Sequence, residues 1–247
     1  MKINRISFFG VLLSSIFAVL TTGCGLWGDN IVEPHTITVP SFNLTTYDDE
    51  GTNSHNIAEV WVYSETDVLG VFPLPAKIPV LQENGEETVH ITLLPGVRVN
   101  GISSTRKPYP FYAVSELDVD YVPGGVDTVE FNSNYVSGVE IILSEDFESA
   151  NRFQTSSTST AEVVRTVDSD WVFEGEASGL IILSEQESYV LSTTQEQLYD
   201  LTADVATFLE FNYRCNNSFA VGMEAVGGMN PERTPIIVLS PSGEEWK

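Results

Sequence analysis

Thr88-Val89-His90-Ile91-Thr92-Leu93 is the stretch on which the fold turns. Val89, Ile91 and Leu93 fall on one side of an extended chain and Thr88, His90 and Thr92 on the other, because successive strand side chains point to opposite faces. A helix would instead space its apolar residues three and four apart. Pro95-Gly96, just downstream, reads as a turn leading into Val97, Val99 and Ile102. The same period of two recurs in Ala58, Val60 and Val62 against Glu59, Trp61 and Tyr63. It recurs again in Leu209, Phe211 and Tyr213 against Phe208, Glu210 and Asn212. Gly, Pro, Asn and Asp separate these runs, and no long segment has helical spacing. The chain is expected to be all-β, built of antiparallel sheet with one buried face.

Within that frame Val60 and Val62 point to a core, while Trp61 and Tyr63 cover the opposite face. Pro73, Pro75 and Pro79 cannot donate to a strand ladder, so Phe72 to Leu81 reads as an edge or as a segment crossing between sheets. Gly70, Gly96 and Gly101 read as turn positions with positive φ. A single β-sandwich takes about 100 residues, and the chain has 247. Two sandwiches are therefore expected, at 37–133 and 138–247, parted by the polar run Asn132-Ser133-Asn134-Tyr135-Val136-Ser137-Gly138. Pro241-Ser242-Gly243-Glu244-Glu245-Trp246-Lys247 reads as a turn followed by the start of another strand. The expectation is that the second sandwich is truncated at Lys247.

The formal net charge is -24, from 11 Lys+Arg and 35 Asp+Glu. Such a charge repels phosphate backbones and argues against nucleic acid as a partner. Beyond residue 24 no apolar run reaches the roughly 20 residues that a membrane helix needs. Residues 1–23 read as a signal peptide: Lys2 and Arg5 lead an apolar stretch from Ile6 to Leu20, and Thr21, Thr22 and Gly23 precede Cys24. The small residues before a single cysteine resemble a bacterial lipobox, although Thr21 stands where that pattern prefers Leu. The resemblance implies cleavage before Cys24, lipidation of its thiol, and a membrane anchor on a tether spanning residues 24–36. Loss of Lys2 and Arg5 would leave 9 basic and 35 acidic side chains, a net of -26. With that charge the lipid, not a basic patch, must hold the protein at the membrane. Gly25 in place of Asp implies, by resemblance to lipoprotein sorting, onward transport to the outer membrane, with the leaflet left open. Cys215 then has no partner and reads as a small buried thiol.

The segment from His55 to Tyr112 carries a further resemblance. Its pieces are Val60-Trp61-Val62-Tyr63, Leu69-Gly70-Val71-Phe72-Pro73-Leu74-Pro75, Ile78-Pro79-Val80-Leu81, Pro95-Gly96-Val97, Asn100-Gly101-Ile102, Thr105-Arg106 and Pro108-Tyr109-Pro110-Phe111-Tyr112. Together they resemble a family of bacterial outer-membrane lipoproteins with an immunoglobulin-like N-terminal sandwich and a jelly-roll C-terminal one. The likeness continues through Glu145-Asp146-Phe147-Glu148, Gly175 to Leu183 and Trp246-Lys247. It implies an architecture and a cell-envelope location, and no activity.

Sites remain as alternatives. Lys107-Pro108-Tyr109-Pro110-Phe111-Tyr112 either offers Tyr109 and Tyr112 as a glycan platform or plugs the end of the sandwich with its rings. Trp171, between Asp168-Ser169-Asp170 and Phe173-Glu174-Gly175, is a second candidate platform. Glu145, Asp146 and Glu148 are candidate ligands for a structural calcium. Asp118 and Asp120 share a strand face and either chelate or simply solvate it. Asp48 to Asn53 offers oxygens, but its glycine is fourth rather than sixth, which breaks the EF-hand pattern. Asp127-Thr128-Val129 resembles an O-glycosylation site of exported bacterial proteins. HExxH, GxSxG, a phosphate-binding glycine loop and CxxC are all missing. His35, His55 and His90 have no nucleophile context, so the chain is expected not to be an enzyme and to need no cofactor. The expected partners are the membrane, through the anchor, and either an envelope protein or a glycan. The expected role is that of a scaffold, adhesin or accessory subunit, with glycan binding by the jelly roll as the alternative.

Overall fold

The structure is a computed structural model that describes residues 32–47, 50–65, 67–82, 85–99, 103–197, 201, 204–225 and 232–247. The signal segment, Cys24, Asp48, Asp49, Gly101 and Ile102 lie outside the described residues. Among the described residues there is no α-helix, and the chain is all-β. Among the described residues no helix is long and apolar enough to cross a membrane.

Among the described residues up to Asn134 there are ten strands: β1 (His35–Val39), β2 (Phe42–Thr45), β3 (Glu59–Ser64), β4 (Val68–Pro73), β5 (Ala76–Val80), β6 (Thr88–Arg98), β7 (Arg106–Pro108), β8 (Ser115–Asp120), β9 (Val126–Thr128) and β10 (Phe131–Asn134). One sheet runs β4-β3-β6, with β8 along the first part of β6 and β7 along its end. Two further sheets are β5-β1-β9 and β2 with β10. β1 and β9 are parallel, and so are β2 and β10. Pro40, which cannot donate a ladder hydrogen bond, falls where β1 gives way to β2.

Alternation decides what lies between the sheets. β1 and β5 bury every second residue, and Ile37, Val39, Ala76, Ile78 and Val80 join Val60, Val62, Val89, Ile91, Leu93 and Phe131 in one cluster. Each fully buried Val, Ile or Leu stabilises the fold by about 1.5–3 kcal/mol relative to exposure. As the alternation implied, Val60 and Val62 are fully buried, whereas Trp61 and Tyr63 lie on the opposite face, partly exposed. The proline-rich segment does cross between sheets. β4 is an edge strand of one layer, β5 an edge strand of the other, and Leu74-Pro75 joins them through a cis peptide bond.

Three local readings are corrected. Pro95-Gly96 is not a turn, because β6 runs straight through it. β8 covers β6 as far as Leu93 and β7 begins at Gly96, so Pro95 sits where one neighbour gives out and the next starts. A strand can spare a donor there. Gly96 is accordingly not in the positive-φ region, while Gly70 has φ 144° inside β4, beside an irregularity at Val62/Tyr63. Asn132-Ser133-Asn134 is not a link but part of β10, with Ser133 buried. Residues 208–213 alternate as expected, yet they form no strand: Tyr213 exchanges two main-chain hydrogen bonds with Lys247, and among the described residues no such bond is made by residues 208–212.

Beyond residue 139 the elements are short antiparallel pairs: β11 (Phe153–Thr155) with β14 (Ser192–Thr194), β12 (Val164–Thr166) with β13 (Ser178–Leu180), and β15 (Phe219–Ala225) with β16 (Glu232–Leu239). Ala161 and Ala177 are the only buried apolar residues described in this half. Ile182, Tyr189, Leu209, Met223, Ile236 and Val238 are all exposed.

Candidate functional site

The aromatic-proline segment packs at one end of the core enclosed by β1 to β10. Tyr109 and Tyr112 are 5% and 4% exposed, so neither ring offers a face to a sugar. Their rings meet edge to face at 4.6 Å, and Tyr135 packs against Tyr112 at 4.9 Å. The isolated bridge Tyr112–Tyr135 and the bond from Val136 N to Phe111 O lock this end to the chain after β10. All three hydroxyls donate to one carboxylate, that of Glu210. Tyr109 gives Oε1 a short contact, and Tyr112 and Tyr135 each lie 3.2 Å from Oε2. Burial and then the nearby Glu210 charge push the acidity of Tyr109 and Tyr112 far from neutral pH, so both phenols remain donors. Phe208 sets its ring edge-on between Tyr109 (5.0 Å) and Phe111 (5.5 Å). Two residues further, Asn212 Oδ1 accepts from Ser54 Oγ at 3.1 Å. Sequence reading left the tyrosines either as a glycan platform or as a plug and did not find Glu210, since nothing local marks a carboxylate 101 residues away.

Trp171 is 48% exposed, but it is not a bare platform. The Arg214 guanidinium lies 5.2 Å from its ring centre and 5.0 Å from that of Trp246, a cation held between two indoles. Phe173 leans on Trp246 at 5.2 Å, and Arg214 also donates to Asp170 O. Beside this cluster an open depression of about 470 Å³ is lined by Leu44, Thr45, Thr46, Thr52, Asn53, Glu174 and Gly175. Thr52 Oγ1 donates to Glu174 Oε1 at 2.6 Å across it.

The acidic opening of the second half works as a set of backbone caps. Glu145 Oε1 accepts from Phe147 N (2.7 Å) and Oε2 from Arg152 N (2.5 Å). Asp146 Oδ1 accepts from Glu148 N (2.9 Å). Glu148 Oε1 accepts from Glu176 N (2.7 Å) and Ala177 N (3.3 Å). These bonds engage Glu145 Oε1 and Oε2, Asp146 Oδ1 and Glu148 Oε1. Among the described residues no three His, Cys, Asp or Glu side chains are grouped to hold a metal ion. Glu50 likewise turns back to Tyr47 N (2.9 Å).

Asp118 and Asp120 do share an exposed face of β8, opposite His90 and Thr88. His90 Nδ1 is 2.8 Å from Asp118 Oδ1, and that hydrogen bond raises the histidine's proton affinity. His35 is buried, with Nε2 3.1 Å from Asp127 Oδ2, and Thr128 is exposed on the edge strand β9. Cys215 is half-buried, and its Sγ faces Ser240 O at 3.6 Å. No hydroxyl or thiol nucleophile stands against any of these histidines in the described contacts.

Comparison with protein-family models, with curated proteins and with solved structures finds no match. What the site can do is therefore argued from its own geometry.

Proposed function

We propose that this chain is a non-catalytic cell-envelope lipoprotein, anchored through Cys24, whose two β units present a protein-binding surface as scaffold, adhesin or accessory subunit. The observation that carries the reading is the contrast between halves. Residues before 139 bury a continuous core, while the second half holds its apolar side chains outward on short strand pairs with open edges. Open edges and exposed apolar patches suit pairing with another protein. A sugar site would instead set bare, coplanar rings in a groove, whereas Tyr109 and Tyr112 are buried and Trp171 is stacked on Arg214. In this reading the first unit is the immunoglobulin-like sandwich and the second a jelly roll, as the family resemblance implies, and the location is the outer membrane.

Two experiments test it. Labelling cells with a fatty-acid probe should mark the wild type and not Cys24→Ser; equal labelling of both would remove the anchor. A photo-cross-linking residue at Val238 should give one discrete adduct in intact cells, and a smear or no adduct would count against a defined protein partner.

The alternative reading, glycan binding by the second unit, draws on one feature: the depression near Trp171 is lined by hydroxyls, an amide and a carboxylate, which is the chemistry that recognises polyols. A thermal melt against a polysaccharide panel decides it, because a ligand of the folded state raises the midpoint. A reproducible rise with one sugar class, lost in Trp171→Ala, would make this reading the primary one.

A further inference from the structure

Residues 206–212 cross the end of the first sandwich as an extended strap. Phe208, Glu210 and Asn212, every second residue, reach down to Tyr109 and Phe111, to the three tyrosine hydroxyls and to Ser54. Leu209 and Phe211 point away and are exposed. Among the described residues no main-chain hydrogen bond ties this strap to a neighbouring strand. It is held by side chains alone. The cup beneath it is built independently of the strap, from β-sheet, the Tyr112–Tyr135 bridge and ring packing around Phe42. Three neutral phenols hold the carboxylate, with no cation among these contacts. Such a set of donors selects a carboxylate by geometry and exchanges it without separating a buried ion pair.

We propose that Tyr109, Tyr112 and Tyr135, with Phe111, form a recognition cup for an extended peptide carrying an aromatic residue and, two positions on, a carboxylate, and that Phe208 and Glu210 fill this cup in cis. The strap is then an internal ligand that an external segment of the same chemistry displaces. A covalent tether holds its ligand at an effective concentration on the order of mM, so an outside peptide succeeds only when the strap is weakened or the competitor is abundant.

The test uses the full chain with Phe208→Ala and Glu210→Gln combined, and a fluorescent peptide spanning residues 206–212. The variant is expected to bind the peptide at least about tenfold more tightly than the wild type does, because the internal competitor is gone. Adding Tyr112→Phe with Tyr135→Phe, or replacing the peptide's glutamate by glutamine, should each weaken binding about tenfold, the usual effect of losing hydrogen bonds to a charged acceptor. No binding by a folded variant, or equal binding of the glutamate and glutamine peptides, overturns the proposal. Should the double variant fail to melt cooperatively, Glu210→Gln alone supplies a second readout. Nitration of Tyr112 and Tyr135, mapped by mass spectrometry, should speed up severalfold as the strap lifts, and an unchanged rate overturns the cis-ligand assignment.

Discussion

The indole of Trp61 lies against the backbone of Gly96. A β-carbon at position 96 would stand 2.9 Å from Trp61 Cδ1 and 3.1 Å from Glu59 O. An indole ring and a carbonyl are both fixed, so Gly96→Ala must push one of them aside. It is expected to cost about 1–3 kcal/mol, the usual range for overpacking, against the small gain that alanine brings over glycine in a strand. Urea unfolding should show a lowered midpoint with unchanged slope. In a Trp61→Val background the cost of Gly96→Ala should shrink, and strict additivity of the two changes would remove the contact as the cause.

Directly beside that contact, Glu59 is 2% exposed and carries two arginines. Arg98 Nε lies at 2.8 Å and Arg106 Nε at 2.9 Å from its carboxylate. Arg98 and Arg106 are cross-strand partners on β6 and β7, so without Glu59 two like charges would face each other. Glu59→Ala is expected to destabilise by about 2–4 kcal/mol, near the cost of breaking a buried pair. Each arginine is about two-fifths exposed, so either Arg→Ala change should cost less, about 0.5–1.5 kcal/mol. Equal losses for the carboxylate and for either arginine would contradict this asymmetry.

His55 and His90 should titrate on opposite sides of the ordinary value of 6.5. His90 is raised, first by its hydrogen bond to Asp118. Its folded state binds the proton more tightly than its unfolded state, so its stabilisation is full below 6.5 and fades as pH rises through the raised value. His55, edge-on to Phe42 at 4.8 Å, is lowered by withdrawal from water. Its contribution is full above 6.5 and is lost as pH falls through the lowered value. NMR titration of the imidazole carbon protons gives both midpoints. Asp118→Asn should lower the His90 midpoint and leave that of His55 in place.

Core truncations should separate the two halves. Phe131 is fully buried, and Phe131→Ala is expected to cost about 3–5 kcal/mol. Val238 is 68% exposed on β16, and Val238→Thr should stay within about 0.5 kcal/mol. Differential scanning calorimetry of both variants checks the contrast. A large loss from Val238→Thr would mean that β16 is buried in solution.

Alternation made the core of the first ten strands legible. Val60, Val62, Val89, Ile91 and Leu93 could be assigned to the core without any coordinates, because a period of two has one physical cause. Proline chemistry likewise marked Phe72 to Leu81 as an edge or a crossing, and the crossing falls at Leu74-Pro75. Pro95-Gly96 misled because the rule that these residues make turns ignores a strand whose neighbour changes midway. Residues 208–213 misled for a related reason: alternation reports an extended chain with two different faces, not the presence of a ladder partner. The carboxylates of Glu145, Asp146 and Glu148 were visible as a cluster. Their use as backbone caps was not, since that depends on where Phe147, Arg152, Glu176 and Ala177 present their N–H groups. Glu210 was invisible for want of any local signal.

The parallel pairing of β1 with β9 and of β2 with β10 has a mechanical consequence. Because these strands run the same way, the chain enters the pair at His35 and leaves it after Asn134 at opposite ends. A pull between those two points loads the pair lengthwise. Its hydrogen bonds then resist together in shear instead of opening one after another like a zipper. A sandwich threaded in this way transmits tension between what lies before it and what lies after it while its core stays closed.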